Sequence, residues 1–149
     1  MDVKTKSMGI ISVDEDHVIT LPDGLFGFED FKKYALVDSQ YEPLLLMQSL
    51  DEQGLCFFLI DPFLICNDYE VDADDKILEK IDLKEPSDVC VMAIVTVPAH
   101  GSHVTANLQG PLIINRKNRK GMQIVLPNDK YTTKYDILKA LKSGGKAQC

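Results

Sequence analysis

The sequence predicts a mainly β protein: a single-domain, antiparallel, barrel-like sheet with one or two short helices. Three observations carry this prediction. About nine short runs of β-branched, aromatic and aliphatic residues recur along the chain. Clusters of Gly, Pro, Asn and Asp punctuate them as turns do. Most runs follow one another without the crossover helices that a βαβ arrangement requires. With 149 residues, 45% hydrophobic and 26% charged, the chain is long enough to bury a core without disulfide or metal staples.

From the N-terminus, residues 8–11 and 18–21 are short apolar segments on either side of Asp14-Glu15-Asp16, and they read as a hairpin with an acidic turn. Pro22-Asp23-Gly24 ends the second strand. Leu25-Phe26-Gly27-Phe28-Glu29 then sets two aromatics around a glycine, too glycine-rich for a stable helix and too aromatic for an ordinary solvent loop. Further strands are expected at 34–37, 44–50, 55–60, 89–97, 104–108, 112–115 and 122–126. Asp51-Glu52-Gln53-Gly54 joins two of them. Residues 116–121 join two others, with Gly121 able to take a positive φ. A helix is expected over 73–80, capped by Asp72, with Asp74 and Asp75 in its first turn and Ile77, Leu78 and Ile81 on one face. A second is expected over about 134–142, with Thr133 and Asp136 at capping-box-like spacing and Tyr135, Leu138 and Leu141 on one face. The domain is expected to span 1–142, with 143–149 a flexible tail.

Composition narrows the function. The longest apolar run, 89–97, is interrupted by Thr96 and stopped by Pro98, far short of the roughly 20 residues of a membrane span. The N-terminus lacks the apolar core of a secretory signal, so a cytoplasmic protein is expected. Cys56, Cys66, Cys90 and Cys149 form no CxxC pair, which predicts free thiols in a reducing compartment and argues against a zinc or disulfide framework. The net charge of −7 is unevenly placed: residues 1–100 hold 21 acids and 7 bases, residues 101–149 hold 2 acids and 9 bases. Such an acidic body suits a basic protein partner better than a nucleic acid, although acidity also serves solubility alone.

Chemistry-bearing constellations are scarce. His100 and His103 are spaced as two metal ligands are, but no Cys or Glu stands nearby to complete a site, and a polar loop is the simpler reading. No G-x-S-x-G, P-loop or G-x-G-x-x-G occurs. Asp68 and Glu70 alternate as on a solvated edge. The run Arg116-Lys117-Asn118-Arg119-Lys120 is a charged hairpin tip; gripping phosphate is its alternative, without an aromatic platform beside it. No catalytic, cofactor-binding or metal-ligating residue is therefore assigned and no cofactor is expected. The chain reads as a binding protein, with a small β-barrel enzyme, a ligand carrier or a direct RNA binder through 116–120 as alternatives.

Three segments go further. The first is Leu21-Pro22-Asp23-Gly24-Leu25-Phe26-Gly27-Phe28-Glu29. The second is Leu46-Met47-Gln48-Ser49-Leu50-Asp51, followed by Phe57-Phe58-Leu59-Ile60-Asp61-Pro62 and Asp68-Tyr69-Glu70. The third is Val95-Thr96, then Thr105-Ala106-Asn107-Leu108-Gln109-Gly110-Pro111-Leu112-Ile113-Ile114-Asn115, closing with Gly121-Met122-Gln123-Ile124-Val125-Leu126. In this order and spacing they resemble the flagellar assembly factor FliW family. One departure is Gly110, where a larger residue is expected.

The resemblance implies a compact β-barrel-like domain. It also implies a partner switch without catalysis: the protein binds newly made flagellin and, once flagellin is exported, binds and antagonises the translational repressor CsrA. An RNA-binding repressor presents basic surface, which makes Asp68, Tyr69, Glu70, Asp72, Asp74 and Asp75 the candidate contact for CsrA. Flagellin offers helices with apolar faces. Phe26, Phe28 and Phe63 are candidates for a groove to receive them, weighed against burial in the core, the commoner fate of a large aromatic. Neither a membrane nor direct nucleic-acid binding is expected, and a monomer is favoured.

Overall fold

The structure, a computed structural model, describes residues 1–99, 103–127 and 130–142. Its strands are β1 (Asp2–Lys4), β2 (Ile10–Ser12), β3 (Val18–Thr20), β4 (Lys33–Asp38), β5 (Leu45–Ser49), β6 (Cys56–Ile60), β7 (Val89–Thr96), β8 (Thr105–Ala106), β9 (Leu112–Asn115), β10 (Gly121–Gln123) and β11 (Tyr135–Asp136). Two short helices, α1 (Asp75–Lys80) and α2 (Ile137–Lys142), accompany them. The mainly β class read from the sequence is the observed one.

Strands β3 to β7 form a meander in which each pairs antiparallel with the next. The eight-residue β7 then serves two partners: its first half pairs β9, which carries β10, and its second half pairs β8, which carries β11. The two ends of the curled sheet meet at one parallel bridge, Thr20 to Lys120, where the Thr20 N–H donates to the Arg119 carbonyl at 2.9 Å. One bridge is not a ladder, so the sheet is barrel-like and not fully closed.

Strand alternation sorts the apolar residues. Ile19, Tyr34, Met47, Leu59, Met92 and Leu112 come from six different strands and pack into one cluster, which fills the concave side. Their sequence neighbours face outward. Ile60, Ala93, Val95 and Ile113 are covered by Ile65, Tyr69 and Ile81 and by Tyr131 and Ile137. Over β4 the convex face is covered instead by the β1–β2 hairpin, where Val3 and Val13 meet Ala35. Gln48, itself buried, ties that hairpin down: its Oε1 accepts the Lys6 N–H at 3.0 Å, while its Nε2 donates to the Gln53 carbonyl at 3.0 Å.

Several expectations are corrected. Residues 8–11 and 18–21 do not form one hairpin: β2 pairs β1, and β3 pairs β4. Strand β1 has a single inward apolar residue, Val3, too little to register as a run. Asp14 caps a short 3-10 turn over Glu15–His17 that separates β2 from β3. The first helix starts at Asp75 with Asp74 as its cap, because the Asp74 carboxylate accepts the Ile77 N–H at 2.9 Å. The second starts at Ile137; Tyr135 and Asp136 extend β8 as a strand, and the Asp136 carboxylate accepts the Lys139 N–H at 3.2 Å. Gly121 does not supply the positive φ of its turn; Arg119 does, at 60°. A Cβ on Gly121 would lie 3.0 Å from Ile114 and Leu21 side-chain carbons, so close packing is what requires glycine there. Cys56 and Cys90 are free, as expected, and Cys66 is buried. His100, Cys149 and the proposed tail 143–149 lie outside the described residues.

Candidate functional site

An apolar groove of about 810 Å³ opens on the convex face, between the N-terminal hairpin and α2. Its floor is made by outward residues of the two central strands, Leu46 on β5 and Cys56 and Phe58 on β6. Residues 39–44 form one rim: the Tyr41 N–H donates to Ser39 Oγ at 3.0 Å and the Leu44 N–H to the Tyr41 carbonyl at 2.8 Å. That turn leaves Tyr41 63% exposed, its ring edge-on to Phe58 at 6.0 Å. Val97 and Leu138 line the groove and are also more than two-fifths exposed, while Ile137 beside them is buried. Lys6 and Glu42 are the charged side chains of the lining. Apolar floor and sparse charge suit an apolar face of another molecule.

Tyr41 lies in a connecting segment, where no hydrophobic period marks it, and Val97, expected as the last residue of a strand over 89–97, falls just past the end of β7 at Thr96. Leu138 is read from spacing as core, but the helix begins three residues later than expected and turns Ile137 inward in its place.

The acidic stretch lies over the outer layer of the same face. Asp68, Glu70, Asp72, Asp74 and Asp75 are all exposed, and among the described residues none of the five forms an ion pair. Asp68 and Glu70 act at longer range on Lys130, whose pKa is raised first by its neighbour Tyr131 and then by these two carboxylates. Tyr69, named with them as a candidate contact, is instead buried, at 4% exposed. Its hydroxyl donates to the Leu108 carbonyl at 2.5 Å, its ring packs on Tyr131 at 4.6 Å, and burial raises its pKa. A ring so placed holds the acidic segment and does not present it.

Phe26, Phe28 and Phe63 escape burial, at 57%, 39% and 44% exposed. None of them lines the groove. Phe63 sits on the 3-10 turn Pro62–Leu64, whose N-terminus is capped by Asp61, and its ring meets Tyr69 at 5.9 Å. It therefore adds apolar surface close to the acidic segment. Phe26 and Phe28 project from a tight double turn. Leu25 is its buried peg, Gly24 stands against the backbone of Glu29, and Gln123 Oε1 accepts the Phe26 N–H at 3.0 Å.

The basic hairpin tip is engaged within the chain. Lys117 pairs with Asp88 at 3.4 Å, Lys120 with Asp82 at 3.3 Å and Arg119 with Asp16 at 3.8 Å. Asn115 and Asn118 anchor its base through their amides on the Ile81 carbonyl. No group of three or more His, Cys, Asp or Glu able to hold a metal occurs among the described residues. Nor is any helix among them long and apolar enough to cross a membrane.

Comparison with known proteins agrees with this architecture. The sequence model of the family described as FliW protein matches residues 2–137. The flagellar assembly factor FliW of Treponema denticola is 52% identical over 146 residues, covering 98% of this chain and 99% of that protein. Its counterpart in Treponema pallidum is 50% identical over 138 residues, covering 93% and 92%. A solved crystal structure of the flagellar assembly factor FliW superposes with a TM-score of 0.84 at 34% identity, covering 92% of this chain and 96% of the other. Sequence, fold and length thus converge, and the chain belongs to the FliW family of flagellar assembly factors.

Proposed function

We propose that this chain acts in the cytoplasm as a two-partner switch of flagellar assembly. It holds newly made flagellin in the apolar groove and, when free of it, binds CsrA through the acidic segment, lifting repression of flagellin translation. The observation that supports this reading best is the separation of two unlike exposed surfaces on one small chain. The groove is apolar, as the face of a flagellin helix requires. The carboxylates at 68–75 carry no intramolecular ion pairs among the described residues and remain available to a basic surface, with Phe63 as apolar anchor.

Titration calorimetry of two variants against both proteins at two salt concentrations tests the reading. Glu70, Asp72 and Asp75 reversed to Lys should weaken CsrA binding by about 1 to 3 kcal/mol, with a shallower salt dependence, and leave flagellin binding little changed. Asp74 is left in place because its loss would uncap α1. Val97→Asp with Leu138→Asp should weaken flagellin at least about tenfold, since a charge is then buried on docking, and spare CsrA. Unchanged affinities in folded variants would move the partner surfaces elsewhere, with the Phe26–Phe28 turn the next to test.

A further inference from the structure

The groove and the acidic segment share no lining residue, yet one stretch of chain serves both. Residues 131–138 carry Tyr131 and Tyr135, which hold the acidic segment, and Ile137 and Leu138, which line the groove. Tyr131 Oη accepts the Glu70 N–H at 2.9 Å and Tyr135 Oη donates to the Ile65 carbonyl at 3.2 Å. From the other side, Tyr69 Oη donates to the Leu108 carbonyl at 2.5 Å. The Leu108 N–H donates to the Thr132 carbonyl at 3.0 Å, and the Ile137 N–H to the Val104 carbonyl at 3.1 Å, so the bonds tie three segments together.

All three phenols bond to main chain far away in sequence, at separations of 39, 61 and 70 residues. Each therefore sets where a backbone lies, not merely where a side chain points. The ladder between β8 and β11 is only two residues long, so these hydroxyls supply much of what fixes the 131–138 stretch against the acidic segment.

We propose that this three-tyrosine clasp couples the two surfaces. A partner seated in the groove against Leu138 shifts the 131–138 stretch, and through Tyr131 and Tyr135 it alters how the 65–70 backbone presents Asp68 and Glu70. The proposal rests on the two-partner reading above. The two surfaces have no lining residue in common, and the clasp is a continuous bonded route by which one partner weakens the other. Linkage then makes the effect reciprocal.

Calorimetry tests this directly. CsrA is titrated into the chain with and without saturating flagellin, then the order is reversed, using the wild type and a Tyr131→Phe, Tyr135→Phe variant. In the wild type each partner should weaken the other by about tenfold, within the usual range of coupling between sites. In the double variant each partner should still bind when alone, while the mutual weakening is lost. Glu70 is exposed, so water can take over its N–H and the variant should fold; Tyr131→Phe alone serves if circular dichroism shows that the pair does not. Mutual weakening undiminished in a folded variant overturns the clasp, as does its absence in a wild type that binds both partners. Failure of the wild type to bind one of them alone overturns the two-partner reading itself, and the coupling with it.

Discussion

Tyr34 is the largest fully buried side chain of the concave core, and its hydroxyl has no hydrogen-bond partner among the described residues. An unpaired buried hydroxyl costs stability, so Tyr34→Phe should stabilise the protein by about 1 kcal/mol in urea denaturation. A loss of stability would mean that the hydroxyl is satisfied in solution. Gly24 argues the opposite way. It has φ +68°, and a Cβ there would stand 2.6 Å from the Glu29 Cα. Gly24→Ala should cost more than the roughly 1 kcal/mol of an ordinary Gly position and loosen the turn that projects Phe26 and Phe28. A melting temperature within a degree of wild type would count against that account. Gly110, where a larger residue is expected from the resemblance, is explained by its neighbours. The Asn107 amide closes to 3.0 Å of where a Cβ would be, and its Oδ1 accepts the Gly110 N–H at 2.8 Å.

Elements with strong local signals are legible in the sequence. Strands β4, β5, β6, β7 and β9 lie where their apolar runs predict, because each is buried on one or both faces and carries several β-formers in succession. What the sequence hides depends on contacts far along the chain. β1 is a strand because Val3 meets Ala35, and β11 because Tyr135 pairs with Ala106; three-residue and two-residue strands leave no period to read. The acidic half of the site is legible as charge, while the burial of Tyr69 is not, since Leu108 and Tyr131 bury it from other segments. The groove is hidden for the same reason: six separate stretches of chain, from residue 6 to residue 138, line it. Cap identity shows the reach of one carboxylate. Asp136→Ala should destabilise by about 1 kcal/mol through loss of its bond to the Lys139 N–H, whereas Thr133→Ala should be near neutral in the same melts.

At the scale of the molecule, much of the charge asymmetry of the sequence is resolved internally, since the basic hairpin tip is spread over Asp16, Asp82 and Asp88. The buried phenols set the alkaline limit. Burial, with a smaller contribution from the Asp51 carboxylate, pushes Tyr34 up to about 12 from an ordinary value of 10. Burial raises Tyr69 and Tyr135 as well. Above about pH 10 the unfolded chain gives up these protons while the native state keeps them, so stability is full below that value and falls as pH climbs toward 12. Urea melts at pH 8, 10 and 11 should show the fall, and Tyr34→Phe should shrink it. The lone bridge between Thr20 and Lys120 has a mechanical meaning too. A tube whose seam has a single backbone rung among the described residues, with a few side-chain contacts beside it, is a split ring: it is stiff around its circumference but yields first at the slit. Native-state hydrogen exchange should find the amides of Thr20 and of β10 opening well before those of β7, which is bonded to neighbours along its length.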